Sequence, residues 1–467
     1  MGEAIISRGG GSVTYSGTGG GALIQVTTWD GAVITCSKGS KVFTKNSEGY
    51  VEFTVDYGTW TLTSVYDGKT RTATVVVDTL KVFIVNLKGV TYGVSIDMTN
   101  SDPGGAVTYT DDAVGFSPLS CNLSSGACDY GSWEDIITET FGCKPCLYLN
   151  GARSTYLKPT NYAQTEAGAT ADITSGSAGD VMVEFKKTWY KFAKSGNTLT
   201  FQVADYDRSA DGFVNTAFTS MDGTSGIQDY MYYSAYEGYN SSSKIRSLSG
   251  KTPTTNITYT NSRTYCKANG TKYGMEDMAK RCYILGLLML VTKTRGVQAS
   301  LGNGRCSQNS GISTGTLNSY GLFAGFSDNT KGHKCFGIEN FWGNFWKWCD
   351  GIVTNSSTTV AVKNSAPYND SGSGYETVSD GLTRNSGLYA TAMAPCAGGA
   401  IILPSIGQSD TTKGWCDYVT VSSSSGYVAL VGGIYGNGAD GNGPFCLNVR
   451  SDPGNSGSNL VSRLVAA

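Results

Sequence analysis

The sequence predicts a mostly β fold with a smaller helical part, α+β overall, and three observations support this. Between residues 22 and 87, β-branched and aromatic runs alternate with turn residues roughly every ten positions, as short antiparallel strands do. The composition is rich in glycine (62) and tyrosine (28), with abundant Ser, Thr and Asn, a vocabulary of loop-rich β proteins and of binding surfaces. Only two stretches, 261–268 and 275–293, carry helical periodicity with end signals.

Length and charge narrow the function. A chain of 467 residues exceeds what one core usually serves, so two or three domains are expected. Basic and acidic residues nearly balance, 35 against 37, which leaves no electrostatic footprint for nucleic acid or an anionic membrane. Thirteen cysteines, an odd number, leave at least one thiol free or shared between chains if the rest are bridged. The start, MGEAIISRGGG, offers no apolar run of signal-peptide length. The longest apolar stretch, 283–291, is far short of the ~20 residues a bilayer helix needs.

In chain order, residues 1–21 are glycine-rich and aperiodic and read as a flexible or assembly arm. Strands are expected at 32–36, 50–55, 59–65, 71–77 and 80–85, with turns at Gly39-Ser40, Glu48-Gly49, Tyr57-Gly58 and Asp67-Gly68. This makes 22–87 a small β-sandwich, which resembles the immunoglobulin-like or carboxypeptidase-regulatory-like modules of phage tail proteins. Residues 88–178 read as a connector. Its segments around 92–97, 100–103 and 107–113 resemble a part of phage minor structural proteins. The connector holds Cys121, Cys128, Cys143 and Cys146. Their spacing fits scattered buried thiols better than a zinc knuckle. Strands at 180–185 and 189–192 open the last domain, 179–467. Asn269-Gly270 stops the first helix, Glu276, Asp277 and Lys280 crowd the start of the second, and 352–400 reads as long surface loops.

The densest aromatic stretch is CFGIENFWGNFWKWCDG, residues 335–351. Phe341, Trp342, Phe345, Trp346 and Trp348 can each bury roughly 150–250 Å², so the stretch reads as core. Gly343-Asn344 interrupts it with a bend, where the Asn amide is expected to bond main chain. This run resembles the G-[aromatic or aliphatic]-x-[D/N]-x-x-G-N-[V/L/F]-[W/Y]-x-W signature of the C-type-lectin-like fold, shared by formylglycine-generating enzymes and phage-borne variable proteins. Gly432-Gly433 through Leu460-Val461-Ser462-Arg463-Leu464 resembles that family's closing segment. The resemblance implies a C-type-lectin-like domain over 179–467.

The family's enzymes use a cysteine pair in the closing segment, and only Cys446 stands there, so no catalysis is expected. His333, the sole histidine, lies in no nucleophile motif and reads as a loop or strand-edge residue. Asp111-Asp112 and the Glu339/Asp350 pair read as turn formers or solvated charges. On the strand 445–450, Phe445, Leu447 and Val449 are expected to point inward and Cys446, Asn448 and Arg450 outward. With Tyr435, Asn437, Asp440, Asn442, Ser451, Asp452 and Asn455 on flanking loops, these outward residues form the expected ligand-binding face. In the variable proteins this segment resembles, such positions are open to diversification by a retroelement.

The expectation is therefore a virion tail protein made in the bacterial host cytoplasm that binds a host cell-surface glycan or protein. It is expected to be a homo-oligomer, to contact other virion tail proteins, and to need no cofactor, nucleic acid or membrane insertion. A calcium requirement is not readable from the residues. The alternatives are an oxidase-like enzyme of the same fold and a non-binding decoration protein.

Overall fold

A computed structural model describes residues 21–66, 69–379, 382, 384–409, 414–415 and 417–467. The expected arm and the Asp67-Gly68 turn lie outside these residues, apart from Gly21. The chain divides into two compact units, one ending at Val90 and one spanning Thr91–Ala467. It is largely β.

In the first unit one hydrogen-bonded sheet of five strands carries the fold: Ala22–Lys38, Lys41–Val55, Gly58–Tyr66, Lys69–Val77 and Val82–Asn86. Four of the five expected strands fall within these, and the fifth, expected at 80–85, starts two residues later at Val82. The long first strand is shared. Its first half pairs with Val82–Asn86 in parallel and its second half with Gly58–Tyr66. Register shifts between Thr27 and Val33 mark a corner between the halves, where bulges bend and twist a strand. The Lys45 ammonium donates to Glu52 O at 2.6 Å, although seven residues of straight strand would separate them by roughly 23 Å. The sheet is thus folded over on itself. Ile24, Val26, Phe53, Ile34, Trp60 and Leu62 form the core inside the fold. Glu48-Gly49, expected as a turn, lies within the second strand, with Glu48 opposite Asp30.

Residues 91–178 are not a connector. Thr91–Asp97 pairs with Thr198–Ala204, and Lys144–Leu149 pairs with Asp180–Lys186, so these strands belong to the sheets of the second unit. Short β-branched runs separated by turns left no sign of partners a hundred residues away. Asp180–Lys186 and Trp189–Ser195 are both strands as expected, but they enter different sheets.

The second unit is built on three main sheets. One has seven strands, with the chain's last strand, Leu464–Ala466, between Tyr230–Ser234 and Tyr273–Met275. A four-stranded sheet holds Thr91–Asp97, Val107–Asp111, Trp189–Ser195 and Thr198–Ala204. A nine-stranded sheet runs from Glu376–Ser379 through Thr359–Val362, Trp346–Thr354, Val428–Val431, Leu447–Ser451, Tyr418–Val421 and Leu388–Cys396 to Ile401–Gln408, with Leu460–Val461 beside Trp346–Thr354. Residues 352–400 therefore contain strands as well as loops. Of these strands only Glu376–Ser379 lies at an edge of the sheet, and most of the Ser and Asn residues fall in the turns between strands.

Both expected helices are present, as Tyr259–Lys267 and Met278–Thr292. Thr258 caps the first, accepting from Asn261 N at 3.2 Å, and Asp277 caps the second, accepting from Lys280 N at 3.0 Å. The second helix is buried on every side, packed between the four-stranded and nine-stranded sheets. Gly286 lets it approach closely, because a Cβ there would stand 2.3 Å from the Phe201 ring.

Candidate functional site

The aromatic stretch is core: Phe341, Trp342 and Trp348 have no exposed surface, and Phe345 and Trp346 are buried. The bend within it organises the loops above. Gly343 and Asn344 both take left-handed backbone conformations. The Asn344 side chain accepts from Ile312 N at 2.8 Å and donates to Ile312 O at 3.3 Å, so its amide bonds main chain as expected. Its backbone accepts from Tyr435 N and donates to Arg305 O, each at 2.9 Å. Gln308 N donates to Tyr435 O at 2.6 Å and Gly438 N to Cys306 O at 2.7 Å. Loops 305–312 and 432–443 are thus pinned together over one buried asparagine.

Buried charges hold the same frame. Arg281 pairs with Glu276 at 2.7 Å and donates to Pro444 O at 2.8 Å, which fixes the chain just before the closing strand. Asp417 accepts from Phe445 N at 2.6 Å, and burial pushes its carboxyl well above the usual range. Arg463 donates to the Ser234 and Glu339 carbonyls at 2.9 and 2.7 Å. Glu339 and Asp350, read from the sequence as solvated or turn charges, are buried: Glu339 accepts from Gly315 N and Leu317 N, and Asp350 pairs with Arg263. Asp111 and Asp112 are exposed.

The ten expected site residues divide. Asn437, Asp440, Arg450, Asp452 and Asn455 are exposed, and Tyr435, Asn448 and Ser451 are half-buried. Asn442 and Cys446 are buried, at 0% and 1% exposure, and leave the face. The Asn442 amide closes its loop from inside, donating to Gly438 O at 2.6 Å. Cys446 precedes the strand, which begins at Leu447, so the inward-outward alternation starts one residue later than the sequence suggests. Its thiol points at Gly441 O, and burial pushes it well up. Tyr435, Asn437 and Asp440 stand before the strand and Ser451, Asp452 and Asn455 at its far end, roughly 13 Å of strand apart. Asn448 and Arg450 lie between.

Two tyrosines the sequence reading missed join them. Tyr389 pairs opposite Tyr418, their rings 6.2 Å apart, and Thr420 lies opposite Asn448. By the two-residue period, Tyr418 and Asn448 share one face of the sheet. Asp440 lies near enough for its charge to help raise the Tyr389 hydroxyl, after burial. Tyr435 packs edge-on against Phe345 at 5.5 Å. The face thus combines phenol rings, amides, two carboxylates (Asp440 and Asp452) and one guanidinium. The alternation in Tyr418-Val419-Thr420-Val421 was the available signal for the missed strand.

His333 adjoins the strand Lys334–Cys335 but is fully buried, stacked on Trp342 with centroids 3.4 Å apart. Burial, with Lys347, Arg463 and Arg281 nearby, pushes its pKa well down and keeps it neutral. Cys121 and Cys128 form a disulfide, and Cys143 and Cys146 are separate buried thiols. Among the described residues no three His, Cys, Asp or Glu side chains gather as a metal site, and no helix is long and apolar enough to cross a membrane.

Neither a protein-family model nor a curated protein sequence matches this chain. Among solved structures the chain is similar to three variants of the Major Tropism Determinant. The U1 variant aligns at 10% identity and a TM-score of 0.25, covering 87% of this chain and 80% of that one. The M1 variant aligns at 10% identity and 0.26, covering 87% and 80%, and the P3c variant at 11% and 0.26, covering 88% and 81%.

Proposed function

We propose that this chain is a virion tail-associated adhesin whose second unit, a C-type-lectin-like tip, binds a host cell-surface glycan or protein without catalysis. The observation that carries this reading is the Asn344 clamp. One buried side chain and its backbone hold two loops in fixed register, the arrangement in which a rigid scaffold presents variable loops. The presented groups, Tyr389, Tyr418, Tyr435, Asn437, Asn448 and Arg450, are of the kind that dominate binding surfaces. The only thiol of the closing segment, Cys446, is buried and held protonated, which supports a binder over an oxidase. On this reading the first unit is an immunoglobulin-like assembly module, the protein is a homo-oligomer joined to other tail proteins, and it needs no cofactor.

The test is attachment of the purified, fluorescently labelled full chain to a panel of intact candidate host cells. Saturable attachment to some strains and not others is the expected result. Absence of saturable attachment across hosts that the source virus infects would contradict the proposal.

A further inference from the structure

One face of the first unit differs from an ordinary solvated sheet. Four strand segments, 33–37, 42–46, 59–65 and 70–76, lie side by side in fixed register. Ile34, Cys36, Trp60, Leu62 and Val75 point into the core, so the residues alternating with them point outward, and none of those is buried. Thr44, Thr35, Thr63 and Thr72 stand opposite one another in an unbroken row across all four strands. Val33 pairs with Val65 on one side of this row, and Val42 with Ser37 on the other.

The outward side chains carry no charge. Lys45 and Arg71 are the only charged residues of the four segments. They stand opposite Ile34 and Ser64 and so alternate to the other side, where Lys45 lies over the Phe53 ring and Arg71 over the Trp29 ring. Depletion of charge marks the centre of a protein interface rather than free surface. Apolar groups are also left in solvent here, with Val42 58% and Val76 60% exposed. Among the described residues, ten of the fourteen exposed large hydrophobics belong to the unit that ends at Val90.

The chemistry of the face selects its occupant. A hydroxyl both donates and accepts, so a row of threonines can pair fully with an identical row turned by a two-fold axis, and an uncharged face meets its own copy without like-charge repulsion. Thr and Val are stiff at χ1, so docking them costs little rotamer freedom. Four strands with their outward rows present roughly 500 Å², and two copies would bury about 1,000 Å² in all, the least that a specific interface needs. We propose that this face joins two copies of the chain, stacked sheet on sheet about a two-fold axis near Thr35 and Thr63. The proposal rests on the reading of the protein as a homo-oligomer and names the surface that joins it.

The test is sedimentation velocity of the full chain over a wide range of concentration. The wild type should pass from the mass of one chain to that of two as concentration rises, reversibly, as an interface of this size implies. Thr63→Lys and Thr63→Glu should each weaken association roughly tenfold or more, because the axis brings like charges together. An equimolar mixture of the two should associate again, Lys against Glu. Val42→Lys, at an exposed site, should weaken association while melting like wild type, and so keeps the test open if a Thr63 variant fails to fold. A wild type that stays at the mass of one chain would overturn the proposal, as would a mixture that associates no better than either variant alone. Folded Thr63 and Val42 variants that associate like wild type would remove this face but leave the homo-oligomer reading standing. The readout uses no cells, so its failure would leave the attachment reading untouched.

Discussion

Lys347 Nζ lies 3.1 Å from Glu237 Oε1, and neither side chain has any exposed surface. The ammonium also donates to Gly343 O, and the other Glu237 oxygen accepts from the Asn344 amide. One ion pair therefore braces the bend that pins the binding loops. Two charges buried this deeply hold each other in place, and removing one strands its partner in an apolar shell. Lys347→Met should cost ~3–5 kcal/mol in urea unfolding, and adding Glu237→Gln should restore part of that loss. A single variant as stable as wild type would show that the pair is not bracing the bend.

Trp346 is 5% exposed and packs in the cluster that includes Trp348, Leu430, Cys446 and Leu460. Truncation leaves a cavity that strands on both sides cannot close. Trp346→Ala should lower stability by ~3–5 kcal/mol, read as a shift in the urea midpoint. An unchanged midpoint would mean that the aromatic stretch is not the centre of the fold.

Burial pushes the Cys282 and Cys335 thiols up to about 12 from an ordinary value of 9.0. A thiol kept protonated in the folded state contributes stability that is complete below its unfolded pKa and is lost as pH rises toward the folded value. The thiols should therefore lower stability between pH 9 and 12. Lys347, pushed down by burial to about 8 from 10.5, acts in the opposite sense between those two values. The double variant Cys282→Ala/Cys335→Ala should lose less stability than wild type when urea midpoints under reducing conditions are compared from neutral to alkaline pH. Parallel declines would exclude the thiols as the cause.

The unit boundary falls at Val90/Thr91, between the strands Val82–Asn86 and Thr91–Asp97. Limited proteolysis should cut near 87–90, where main chain joins two separately cored units, and leave a fragment beginning near residue 91 that unfolds cooperatively. First cleavage within 91–178 would contradict the pairing of Thr91–Asp97 and Lys144–Leu149 with later strands.

Features set by local chemistry were legible in the sequence. The strands of the first unit follow their β-branched runs, Thr258 and Asp277 sit where caps belong, and Gly343-Asn344 bends as a Gly-Asn pair inside an aromatic run should. Long-range pairing was not legible. Tyr92 to Asp97 reads as an isolated strand, and nothing near it says that Thr198–Ala204 is its neighbour. Residues 352–400 were disguised by polar composition, so Tyr389 was missed. Cys446 was misplaced because a two-residue period holds only inside a strand, and the strand starts at Leu447; Asn442 was expected on an outward loop but turns inward to close that loop on Gly438 O. Glu339 and Asp350, which read as turn formers or solvated charges, are buried with partners distant in sequence, which composition cannot reveal.

The central claim is that the face around the closing strand makes the host contact. Asn448 and Arg450 are its middle, and their loss should disturb the fold little, since Asn448 Oδ1 makes one local bond, accepting from Arg450 N at 3.0 Å, a contribution of about 1 kcal/mol. The most direct measurement compares attachment of wild type and Asn448→Ala/Arg450→Ala full chain to the same host cells, after urea unfolding confirms that both are folded. A drop of roughly tenfold or more in the affinity of the double variant is the predicted result, as two contact side chains at a binding centre would give. A folded double variant that attaches like wild type would contradict the claim and move the contact off this face.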